Sequence, residues 1–169
     1  MDLVSHVLIG RALGTPPKNS KKDVFWITFF SFLPDLPQII IYIYLGFINS
    51  RAFFIPFNTD WDGFRDFNPV WSALWEIPHS VFFVLLVIFP IVLFFKLPKM
   101  ALFVYALHII IDLFTHSGEW GVKLFYPFSY QIKGFTNAWS WSFADILLSW
   151  SILVIVIIIF HLSFRRKNK

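Results

Sequence analysis

His108, Asp112 and His116 stand at four-residue intervals in the segment HIIIDLFTH. A helix would stack all three side chains on one face. The residues between them are Ile, Leu, Phe and Thr. Ionisable groups in so apolar a setting cost on the order of a few kcal/mol unless paired or ligating, so each is a functional candidate. The same criterion selects Asp35 in LPDLP, His79 in PHS and His6 in SHVLIG. Imidazole and carboxylate together suit a divalent first-row ion, with zinc first and manganese second. Asp112 has one His on either side along its helix face, which suits it to bridge two ions. The rival reading is a buried His–Asp hydrogen-bond network that ties helices together without a metal.

A bound divalent ion makes its water acidic enough to ionise near neutral pH and polarises a phosphoryl oxygen. Asp35 or His116 is then the candidate general base. Other hydrolytic chemistries lack their parts. The chain has no Cys, no G-x-S-x-G turn and no Gly-rich phosphate loop. Ser80 follows His79 directly, and sequence neighbours on a helix point apart, so they do not form a Ser–His pair. GRALG fits G-x-x-x-G formally, but Arg11 at its centre marks a helix end rather than a dimer face.

The elements that must position these residues are apolar. Hydrophobic residues make up 57% of the 169, with 23 Phe and 8 Trp, and 14% are charged. Charges cluster between long apolar runs, the pattern of a polytopic membrane unit rather than a soluble domain. Four runs reach the length of about 20 residues that a spanning helix takes. They are Val24–Ile48, Ile77–Phe95, Leu97–Thr115 and Phe143–Phe164. Asp2–Leu13 adds a short N-terminal helix. The expected fold is an all-α membrane bundle of four transmembrane helices plus that short helix, forming a single domain over residues 1–169. Pro34, Pro37 and Pro90 predict breaks within the spans. His6 joins the other candidates only if the opening helix starts partway through the bilayer.

Orientation follows from Lys and Arg in the connections. Arg11, Lys18, Lys21, Lys22, Lys96, Lys99, Arg165, Arg166, Lys167 and Lys169 fall on one side. Arg51, Arg65, Lys123 and Lys133 fall on the other. The long loops Asn49–Glu76 and Ser117–Ser142 therefore face outward and the tail is cytoplasmic. The net charge of +4 reflects topology, and no nucleic-acid partner is expected. Asp145 and His161 lie near the ends of the last span, where water reaches them. A metal carrier would place polar residues along the whole path, and the cytoplasmic half of the spans is nearly bare of them.

SHVLIG, LPDLP, PHS and HIIIDLFTHSGEWGVKLFYPFS, spread over residues 5–129, together resemble the membrane-bound metal-dependent hydrolases, some of them described as LexA-binding inner-membrane hydrolases. The order His, Pro-Asp, His, H-x3-D is also similar to zinc-dependent phospholipase C, where such residues surround a cluster of zinc ions with a bridging Asp. The resemblance implies that His6, Asp35, His79, His108 and Asp112 are metal ligands, with Asp112 bridging and His116 a further ligand. It also implies a cell-membrane location and hydrolysis of a phosphoester or other ester, from a lipid or amphipathic substrate at the outer interface. Where many members continue Asp-x-Asp-His, this chain has Asp35-Leu36-Pro37-Gln38, and it lacks the phospholipase's later H-x3-E. One or two ions are expected, not three.

Overall fold

The computed structural model describes residues 2–16, 19–54, 56, 58–61, 64 and 68–167. Lys18, Arg65 and Lys169, counted above for orientation, lie outside the described residues. The helices, in chain order, are α1 (Leu3–Gly14), α2 (Lys21–Phe32), α3 (Leu36–Ile48), α4 (Asn58–Trp61), α5 (Pro69–Glu76), α6 (Val81–Phe94), α7 (Lys99–Thr115) and α8 (Phe143–Lys167). Among the described residues the extended pairing is an isolated antiparallel bridge between Val122 and Ile132. The all-α expectation holds.

The count of four spans does not. Among the described residues one helix, Lys21–Ile48, is long and apolar enough to cross a membrane, or up to two if a bent pair counts as one span. Two of the shortfalls have a local cause. The second expected span cannot start at Ile77, because Ile77–Ser80 is a turn separating α5 from α6, and the two helices meet at 59°. The third starts only after Pro98 and has 17 residues. For the fourth, the apolar helix among the described residues is Phe143–Ile159, within α8. The loop expected over Asn49–Glu76 also holds helices α4 and α5.

Polar groups face inward and apolar groups outward. Leu86 is 74% exposed and Phe94 79%, whereas His79 and Asp112 are 0% exposed. A chain folded against water would reverse that order, so the surface is built for lipid. Below the polar cluster, Ile27, Phe30, Ile88, Val92, Ala101, Val104, Tyr105 and Ile109 form the apolar core.

α1 and α2 form a tight antiparallel hairpin. Ser20 starts α2 with a capping box, accepting from the Asp23 N–H while the Asp23 carboxylate accepts from Ser20 N. Asp2 caps α1 by accepting from Ser5 N at 3.0 Å, and it also accepts from Trp150 Nε1 at 2.9 Å, which fixes α1 against α8. The hairpin closes at Gly10, where a Cβ would collide with Ser31 Oγ and Cβ. Gly10→Val is therefore expected to force α1 off α2, at a cost of about 1–3 kcal/mol. Thermal stability should fall accordingly, and unchanged melting would contradict that packing.

Candidate metal centre

Four backbone interruptions bring the cluster together. The first lies between α2 and α3, where Leu33–Asp35 forms a 3₁₀ turn that contains Pro34 and is followed by Pro37. Proline lacks an N–H, and a 3₁₀ turn bonds three residues back instead of four, so carbonyls one turn earlier lose their usual partners. The Ser31 carbonyl is used elsewhere: it accepts from His108 Nδ1 at 2.8 Å. The second is the end of α5, where the carbonyl of Trp75 in the last turn accepts from His79 Nδ1 at 2.7 Å. Tyr105 Oη donates to Pro78 O at 2.8 Å and Ser80 Oγ to Tyr126 O at 2.9 Å, pinning the turn that carries His79.

The third is the end of α7, where His116 leaves the helix in extended conformation. The chain returns to close it, with Gly134 N donating to His116 O at 2.7 Å and Phe135 N to Phe114 O at 2.9 Å. A Cβ at position 134 would stand 2.6 Å from Phe114 O, so only Gly allows this approach. The fourth is the start of α1, which delivers His6 within four residues of its cap.

Carbonyl oxygens only accept, so the Nδ1 atoms of His79 and His108 carry protons. In neutral imidazoles their Nε2 atoms then present lone pairs. The two Nε2 atoms face each other at 3.2 Å. Asp112 Oδ2 lies 3.4 Å from His79 Nε2 and 3.2 Å from His108 Nε2. Asp35 Oδ1 lies 3.7 Å and 3.6 Å from the same atoms. Four acceptors converging on one point repel unless a cation or a shared proton sits among them. An ion with bonds of about 2.0–2.2 Å in tetrahedral geometry holds its ligand atoms about 3.3–3.6 Å apart. Asp35, His79, His108 and Asp112 fit that requirement, and all four ligand atoms lie within 4.8 Å of one another.

The remaining expected residues adjoin this group without entering it. His6 Nε2 is 3.1 Å from the other carboxylate oxygen, Asp112 Oδ1, and its ring stacks on His108 with centroids 3.6 Å apart. His116 Nδ1 is 3.2 Å from the backbone carbonyl of Asp112 and 3.5 Å from Oδ1. Because a carbonyl is the nearer partner, this nitrogen is a donor, and His116 orients Asp112 through it. Asp112 thus turns one oxygen to His79 and His108 and the other to His6 and His116. His161 lies apart, with Arg11 and Thr15, in an apolar groove between α1 and α8.

Over the cluster sits a roof of aromatic rings. Trp75 packs on His79 (centroids 4.7 Å) and His116 (5.9 Å), and Trp139 packs on His116 (6.1 Å) and on Trp120 (4.9 Å). Asp35 has 14% of its side chain exposed, against 0–1% for His79, His108 and Asp112, so the cluster opens on the Asp35 side. Sequence reasoning passed over the buried Glu76, which pairs with Lys123 at 2.6 Å and ties α5 to the loop after α7. Its position in WEIPHS, three residues before His79, was the available signal. Nothing in the sequence pointed to the backbone carbonyls of Ser31 and Trp75.

The YdjM inner membrane protein family model matches residues 1–168. The chain belongs to this family. No curated protein and no solved structure matches it. Family membership supports a membrane location, in keeping with the outward-facing apolar surface.

Proposed function

We propose that the protein is an integral membrane hydrolase of esters, phosphoesters first, in which His79, His108 and Asp112 hold one divalent ion and Asp35 acts as general base. The observation that carries this reading is the convergence of His79 Nε2, His108 Nε2 and Asp112 Oδ2 within 3.2–3.4 Å of one another, with each histidine fixed by a backbone carbonyl behind it. A shared proton among those atoms is the rival account, and metal analysis separates the two. The donor set of two neutral imidazoles and a carboxylate suits zinc.

Bound there, a divalent ion would supply Lewis-acid polarisation of the scissile group and a water that ionises near neutral pH. The chain's own residues do the rest. Asp35 Oδ1 stands slightly farther out than the other three ligand atoms and on the exposed side, where it can take a proton from an attacking water. His6 and His116 hold the second oxygen of Asp112, so its carboxylate cannot rotate away. The Trp roof excludes bulk water and offers an apolar wall to an amphipathic substrate. The Lys-rich ends of α2 and α7 lie far from the cluster: Asp112 is 13 residues from Lys99, or about 20 Å along a helix. With those basic ends and the tail cytoplasmic, the cluster opens toward the outer leaflet.

The test is elemental analysis of detergent-purified protein, followed by assay on phospholipids and soluble phosphoesters before and after chelation. One equivalent of metal, with turnover lost on chelation and restored by zinc, is the expected outcome. Protein that holds no metal would refute the centre. A metal-loaded protein that cleaves nothing would favour the structural or carrier reading.

A further inference from the structure

A second polar pair lies one turn beyond the proposed centre. Gln38 follows Asp35 by three residues along the turn into α3, so the two lie about 4.5 Å apart along the axis. Gln38 is 6% exposed and Trp61 3%. Gln38 Oε1 and Trp61 Nε1 are both buried with no hydrogen-bond partner among the described residues. Both line a small cavity walled by Ile41, Phe64, Trp71, Ser72, Trp75 and Trp120, with room of about 10 Å³. That is the space of about one water-sized group. Trp75 belongs to both places, since its ring packs on His79.

One buried acceptor and one buried donor that do not meet each other define the missing partner. It must accept from an indole N–H and donate to an amide oxygen, which a single hydroxyl does. The walls argue against a charge. Among the described residues no carboxylate or basic side chain lines the cavity, and an unpaired ion there would be costly. A quaternary ammonium, which aromatic walls alone would suit, is too large for a space of one water. Resting on the hydrolase reading above, we infer that this cavity is a subsite for a hydroxyl of a neutral polyol headgroup, next to the ester the centre cleaves. The substrate class is then a lipid whose phosphate carries a glycerol-like alcohol rather than an amine.

The experiment compares phosphatidylglycerol with phosphatidylpropanol, which have the same phosphodiester charge and differ in the headgroup hydroxyls. Short-chain forms in mixed micelles are titrated against metal-loaded protein. The initial change in tryptophan fluorescence reports binding, because four indoles ring the cavity, and headgroup release is measured separately. Wild-type protein should bind phosphatidylglycerol about tenfold more tightly, the effect of leaving a buried polar group unpaired. Gln38→Leu and Trp61→Phe keep shape and apolar walls, and each should abolish the preference while metal content stays unchanged. Equal binding of the two lipids by wild type, or a preference that survives both substitutions, would overturn the subsite, and a structural water would then account for the polar pair. A binding preference without headgroup release would sink the hydrolase reading and leave the subsite standing. Release from both lipids at one rate would do the reverse.

Discussion

Asp112→Asn should empty the centre and abolish turnover together. The amide keeps the volume and both hydrogen-bonding positions of the carboxylate but removes its charge. Asp112 is 0% exposed, so that charge has no solvent to replace it, and in a low-dielectric setting it is the main electrostatic attraction for a dication. The substitution also places an NH₂ group against the imidazoles. If that group replaces Oδ2, it points a donor at His79 and His108, where a ligand is needed. Loss of partners around a metal already costs about 10–100-fold in affinity, and loss of a ligating carboxylate should exceed that. Metal content after dialysis and zinc-restored turnover both measure the effect. His161→Ala, in the groove between α1 and α8, is the control and should leave both intact. An Asp112→Asn protein that keeps its full metal would overturn the assignment of Asp112 as a ligand.

The residues of this centre were legible because a membrane setting makes charge rare. Six ionisable groups stood out in apolar stretches, and the structure gathers the other five around Asp112. The spacing of His108, Asp112 and His116 carried only part of the geometry. His116 sits where α7 has already ended, so four-residue spacing did not give it the helical position that His108 has. The fold was less legible. Apolar length alone assigned a span to Ile77–Phe95, but the proline at position 78 and the need to aim His79 inward turn that stretch into a break. A helix that ends early leaves carbonyls for histidines to use, and hydropathy has no signal for this. The same applies to the 3₁₀ turn at Leu33–Asp35. The prolines marked where α2 would break, but not that Ser31 O would face His108. Gln38 was noted only as a departure from the family's acidic motif, and its own role depends on the fold of a distant segment around Trp61.

Asp35→Asn separates the two jobs that a carboxylate at this site can do. As one of four equal ligands, Asp35 would close a tetrahedral centre, and closed centres are structural. Exposure favours unequal roles. Asp35 has 14% of its side chain exposed in a group otherwise closed to solvent, whereas Asp112 has 1%. A base needs such a path by which the proton leaves. The amide cannot accept that proton. Turnover should therefore fall by about 10²–10⁴-fold, the range for loss of a general base. Metal content should stay near wild type, since His79, His108 and Asp112 remain. The residual rate should also lose its acid limb, because protonation of Asp35 would no longer set it. Metal titration and a pH–rate profile on the same preparation decide the matter. If Asp35→Asn loses metal as fully as Asp112→Asn, Asp35 is a ligand of equal standing and the centre is a closed, structural one.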